Sequence, residues 1–233
     1  MDPTPGSRRS ARVGASNEPS PASTDEHRRS LVAALCDEMS EWTAAIRLQE
    51  QLIDEDMSPH ELADATIRVG DLAARLEAAL LLVRPVLQGT PQRVVRVDPH
   101  MVTSAVHESL QEYGRRGVDF DVHIEPDLAR IQCDPAQLKA MLLTSVYDAL
   151  EAARPRGSVR LRVHQPESVC FEICDDGPQS EALVAWRTAE MSGRALSVAL
   201  AHQLAVDSGA RIDVERRSGF TCVSMQFLAA PQE

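Results

Sequence analysis

The chain has 233 residues, 43% of them apolar but only 3% aromatic, and a formal net charge of −11. That length suits one domain of ordinary size or two small ones, with a core built mainly from Leu, Val, Ala and Ile. The acidic balance argues against a duplex nucleic-acid binder, and no apolar run reaches the ~18 residues that suggest a membrane span. The N-terminal arginine pairs are followed by no apolar stretch of the kind a secretory signal needs, so a cytoplasmic protein is expected. The five cysteines (Cys36, Cys133, Cys170, Cys174 and Cys222) are odd in number and scattered. Only Cys170 and Cys174 are close, at a spacing that fits neither a zinc knuckle nor a redox CxxC pair, so all five are expected to be reduced, small hydrophobes. Lys139 is the single lysine, which leaves little room for lysine-based phosphate or Schiff-base chemistry.

Residues 1–26 are mostly Pro, Ser, Gly, Arg and Thr with almost no large apolar side chain. Such a segment buries too little to offset its ordering entropy, so a disordered leader is expected. From His27 to about Ile53, the positions Leu31, Leu35, Met39, Trp42, Ile46, Gln49 and Ile53 recur at steps of three and four, which predicts a helix with one seam. Ser58 before Pro59, with Glu61 three residues after the serine, is an N-cap followed by Pro at the first helical position. It opens a second helix carrying Leu62, Ala65, Val69, Leu72, Leu76, Leu80 and Val83 and ending near Arg84-Pro85. Two such helices make a hairpin over residues 27–88 whose apolar stripe needs cover, and pairing two copies into a four-helix bundle supplies it. A homodimer is expected.

After a linker with a short strand over 94–97, the pattern predicts a helix from Pro99 to Tyr113 and a strand from Val118 to Ile124. A helix capped by Asp134 follows, reaching about Ala153. The alternating strands 159–163 and 169–174 are joined by the hairpin-like Gln165-Pro-Glu-Ser168. Ala182–Met191 and Leu196–Val206 read as helices. The chain closes with strands 211–215 and 222–227 around Ser218-Gly219. Helices alternating with paired strands point to an α+β sandwich, one helical layer on a mixed sheet.

The order of these C-terminal elements resembles the catalytic ATP-binding domain of sensor histidine kinases, a fold shared with gyrase and MutL. The capped helix from Asp134 to Ala152 looks like the family's N-box helix. Asp175-Asp-Gly-Pro-Gln179 looks like the first glycine box, and Gly193-Arg-Ala-Leu-Ser-Val-Ala-Leu200 like the second. With the hairpin in front, the resemblance covers about residues 27–230. It implies a nucleotide pocket lined by Thr144, Asp148, Asp175, Gly177, Gln179, Gly193, Ala195 and Ser197. Several of these depart from the family pattern. The family's two N-box asparagines, which hold Mg²⁺ and phosphates, fall on Thr144 and Asp148; Asp148 could ligate a hard cation but adds charge beside a triphosphate. Asp175 and Gly177 are kept, and Asp175 could accept from an adenine amino group. Gln179, Ala195 and Ser197 replace glycines that let backbone N–H groups approach phosphates. ATP and Mg²⁺ are therefore not expected to bind, and no metal site is expected elsewhere, because the histidines show no paired spacing.

The family's reactive helix carries a histidine followed by an acid. Here the matching run is Asp37-Glu-Met-Ser-Glu-Trp42, so Asp37 stands at a vestigial acceptor position and lacks the imidazole nucleophile. The resemblance implies a two-component, pseudokinase-like dimer that binds a receiver domain or another histidine kinase through Asp37, Glu38, Glu41 and Trp42. Trp42 has two readings, an exposed anchor or a buried residue closing the seam. Two alternatives stand beside this one. The first is a divergent histidine phosphotransferase or weak kinase using another histidine; His60-Glu-Leu superficially copies the reactive motif at the hairpin tip. The second is a structural or regulatory dimer outside phosphorelay.

Overall fold

Two long helices lead the chain. In a computed structural model, which describes residues 21–53, 57–88, 93–114, 117–178 and 193–230, they are α1 (Pro21–Leu52) and α2 (Pro59–Gln88). At the start of α2 the capping residues make a reciprocal box. The Ser58 amide and hydroxyl both donate to the Glu61 carboxylate, at 2.9 and 2.7 Å, and the Glu61 amide donates back to Ser58 Oγ at 3.3 Å. These hydrogen bonds hold the Glu61 carboxyl below its ordinary value. Then follow β1 (Val95–Val97), α3 (Pro99–Gly114), β2 (Asp119–Ile124), β3 (Ile131–Cys133), α4 (Pro135–Ala152), β4 (Ser158–His164), β5 (Val169–Asp175), α5 (Gly193–Asp207), β6 (Arg211–Arg217) and β7 (Phe220–Phe227).

The main sheet runs β2-β4-β5-β7-β6, with β2 parallel to β4 and the remaining pairs antiparallel; β1 and β3 form a separate antiparallel pair. The sheet is mixed, as expected. Its inner face follows from period-2 alternation: Val159, Leu161 and Val163 on β4, Phe171 and Ile173 on β5, Val223 and Met225 on β7, all buried. The outer face is charged and cross-paired, for example Arg162–Glu125 and Arg217–Glu172, both at 3.2 Å. Ser218 and Gly219 both take positive φ (51° and 90°), the two-residue turn that matches strand twist.

The helix α4 is the hub. Asp134 caps it, accepting from the amides of Ala136 and Gln137. It is buried along most of its length because it faces the sheet on one side and α3, α5 and α2 on others. The hairpin forms a third layer. Leu31, Leu35, Leu82 and Val86 join one continuous core with α4, α5 and the sheet. Three ion pairs rim this contact: Arg28–Asp207 at 2.5 Å, Arg154–Asp71 at 2.6 Å and Arg75–Glu151 at 3.7 Å. Burial raises the Asp207 carboxyl, only partly offset by Arg28.

Several boundaries differ from the sequence expectation. The helix α1 begins at Pro21, inside the stretch expected to be a disordered leader; Pro is accommodated at a first helical turn, and extending an existing helix costs far less than nucleating one. Residues 1–20 lie outside the described residues, as does the helix expected over 182–191. The helix α2 runs past Pro85 to Gln88, since a proline in the last turn forfeits one backbone hydrogen bond without stopping the chain. Strand β3 was not expected. The cysteines are not all reduced: Cys174 is disulfide-bonded to Cys222. The two sit opposite each other in the β5–β7 register, a proximity set by strand pairing that linear spacing does not reveal. Among the described residues, no helix is long and apolar enough to cross a membrane.

Candidate functional site

Thr144 and Asp148 are one turn apart on α4 and point the same way. Ser197, on the first turns of α5, meets them around one cavity, together with Tyr147. Three residues singled out from sequence are thus brought together. The rest of the lining was not anticipated. Leu35 and Trp42 from α1, and Arg75, Ala78, Ala79 and Leu82 from α2, close the space from the hairpin side. What remains is a cavity of about 20 Å³, room for about one water. The Thr144 hydroxyl is buried with no hydrogen-bond partner among the described residues. Arg75 lies over the Trp42 ring, 5.9 Å from its centroid, and reaches toward Glu151 on α4. Such a pair contributes roughly 0.5–1 kcal/mol when partly exposed.

Asp175, Gly177 and Ala195 are not among the residues that line this cavity. Asp175 is fully buried at the end of β5, and its carboxylate accepts from the Gly177 amide at 3.2 Å. A Cβ on Gly177 would fall 2.2 Å from the Ala152 carbonyl oxygen, so glycine is required by close approach to the end of α4. Asp176 accepts from both the amide and the hydroxyl of Ser158, which ties the turn to β4. Gly193 opens α5 and Ala195 is buried in the core. Gln179 lies outside the described residues.

On α1, the expected docking residues divide. Asp37 and Glu41 are exposed, whereas Glu38 and Trp42 are half-buried. Trp42 packs against the core, which answers the question of its orientation: it faces the cavity under Arg75. Arg75 is the main residue that sequence reasoning missed. Its only sequence signal is a charge beside the seam leucines Leu72 and Leu76, with nothing to say that α2 lies on α4.

No protein-family model matches the chain. Two curated relatives are similar in sequence. Sensor histidine kinase ZraS of Klebsiella oxytoca is 28% identical over 174 residues, covering 70% of this chain and 37% of that protein. Sensory histidine kinase/phosphatase NtrB of Rhodobacter capsulatus is 26% identical over 229 residues, covering 87% of this chain and 62% of that protein. In structure, the histidine kinase AdeS of Acinetobacter baumannii superposes with a TM-score of 0.58 at 14% identity, over 83% of this chain and 98% of that one. The structure of a bacterial phosphotransferase superposes with a TM-score of 0.51 at 18% identity, over 86% of this chain and 96% of that one. The chain is a protein of histidine-kinase-type, ATPase-like fold. It spans under two thirds of the length of either curated relative.

Proposed function

We propose that the chain works in two-component signalling as a pseudokinase-like homodimer that binds a receiver domain or another histidine kinase and does not use ATP. The observation that carries this reading is the cavity of about 20 Å³ between Thr144, Asp148, Ser197 and the hairpin among the described residues, too small for a triphosphate. The exposed aspartate at the acceptor position supports it, since a carboxylate cannot replace the attacking imidazole. Docking of the partner would use Asp37 and Glu41, the exposed members of the expected docking set on α1. The dimer would form along the groove that borders these acids, since Ala44 and Leu48 follow Asp37 and Glu41 at helical spacing on α1. There Met39, Ala44, Leu48, Leu76 and Leu80 line an open groove of about 840 Å³, and Leu48 and Leu80 are each 54% exposed. Covering it with a second hairpin buries those leucines at roughly 25 cal/mol per Å².

The rival reading, a divergent histidine phosphotransferase, draws on the fold shared with the bacterial phosphotransferase structure. Its nucleophile would be His60, exposed at the hairpin tip with Asp64 3.3 Å away. Incubation with γ-radiolabelled ATP, and separately with phosphorylated receiver domains, distinguishes the two. No label on the chain is expected; acid-labile label lost in His60→Ala would replace the pseudokinase reading with the phosphotransferase. A chain that binds no receiver domain and no kinase would favour a regulatory dimer outside phosphorelay. Light scattering of the full chain tests the dimer.

A further inference from the structure

The outer face of the sheet, on the far side from the filled pocket, brings together three donor groups that sequence spacing did not connect. Cys174 and Cys222 face each other across β5 and β7 with Cα atoms 4.1 Å apart, and Glu172 lies two residues before Cys174 on the same face. The Glu172 carboxylate and the two sulfurs all lie within 4.8 Å of one another. We infer that Glu172, Cys174 and Cys222 form a redox-gated site for one thiophilic divalent cation of the zinc type, a role independent of the function proposed above.

The chemistry of the donor set points to that class of ion. Two thiolates and a carboxylate are the ligands of a borderline-soft cation, with bonds of about 2.3 Å to sulfur and 2.0–2.2 Å to oxygen. Tetrahedral angles then place ligand atoms roughly 3.5–4 Å apart. Residues opposite each other on hydrogen-bonded strands hold the sulfurs within that range once the disulfide opens. The strands themselves need no cross-link to stay together, since seven consecutive register pairs join β5 to β7. Charge is also provided for. Two thiolates, one carboxylate and a divalent ion sum to −1, and the Arg217 guanidinium already stands 3.2 Å from Glu172. Arg217 is 61% exposed, so it can move outward while staying close enough to offset that charge. Three protein ligands leave a fourth position toward solvent for water.

In the oxidised form both sulfurs are committed to each other and only the carboxylate remains. Opening requires a dithiol reductant: the S–S bond breaks, each cysteine gains a proton and an electron, and the reductant leaves as its own disulfide. A zinc ion then displaces one proton from each thiol, so two protons are released per ion bound.

The test uses the full chain, reduced or oxidised, titrated anaerobically with Zn²⁺ alone, with Cd²⁺ as the optical probe of thiolate bonding. The expected result is one equivalent of Zn²⁺ bound by the reduced chain, a thiolate-to-metal absorption with Cd²⁺, and neither in the oxidised chain. Cys222→Ser should abolish the absorption, while Glu172→Gln, on an outer-face position that the fold tolerates, should weaken Zn²⁺ binding by about tenfold or more. Cys36→Ser should change nothing. The inference is overturned if the reduced chain binds no ion, if the oxidised chain binds as well, or if Glu172→Gln binds with unchanged affinity.

Discussion

Two regions expected to form the pocket are held by different physics. In one, Asp175, Asp176 and Gly177 form a turn packed so closely on the last turn of α4 that only glycine fits at position 177. Glycine at position 177 is required by the fold itself. In the other, Thr144, Asp148 and Ser197 meet side chains from a different layer, and the hairpin takes up the space between them. The contrast separates a residue required by packing, Gly177, from residues whose surroundings are set by the docking of the hairpin.

The largest effect is expected at the packed turn. Gly177→Ala should cost about 3 kcal/mol or more, because its Cβ meets backbone that cannot rotate away. Chemical denaturation checks this, and a neutral substitution would mean that the Asp175 turn is not held by α4. At the cavity, Leu82→Ala removes a fully buried side chain shared by the hairpin and the core and should cost about 3 kcal/mol. A change confined within about 0.5 kcal/mol, the range of surface substitutions, would mean that the hairpin is not docked as described.

A smaller effect is expected at the rim. Arg28→Ala leaves the Asp207 carboxylate buried without its cation and should cost about 2 kcal/mol. Asp207 also sets a pH dependence. Its folded-state pKa is raised by burial, so the folded chain holds that proton more tightly than the unfolded chain. This group therefore opposes folding at neutral pH and ceases to do so as pH falls through the raised value toward the ordinary aspartate range. Stability curves of Asp207→Asn should lack that component, and Arg28→Ala should enlarge it. The smallest expected effect is on binding. Installing asparagines in Thr144→Asn/Asp148→Asn should leave ATP binding absent by calorimetry, because Trp42, Arg75 and Leu82 still occupy the space. Binding by this double variant would show that side-chain identity, not filling, had emptied the site.

Much of this was legible in the sequence where periodicity or cap chemistry is local. The Ser58–Glu61 box, the Asp134 cap and the alternation on β4, β5 and β7 each depend on neighbours a few residues apart. Pocket residues were also legible, through the resemblance, as far as Thr144, Asp148 and Ser197. What was not legible depends on pairing between distant segments. Strand β3 is three residues long, too short for an alternation pattern, and exists because Ile131 and Cys133 pair with β1. The Cys174–Cys222 bond depends on the β5–β7 register. Trp42 could be placed on a seam but not toward or away from α4, since that choice belongs to the docking of α1 and α2 on the core.

The most direct test of the filled pocket is a calorimetric titration of the full, folded chain with Mg-ATP. No saturable heat is expected, with Trp42→Ala as the variant that opens the cavity for comparison. Saturable, stoichiometric binding of Mg-ATP to the unaltered chain would contradict a pocket closed by its own hairpin.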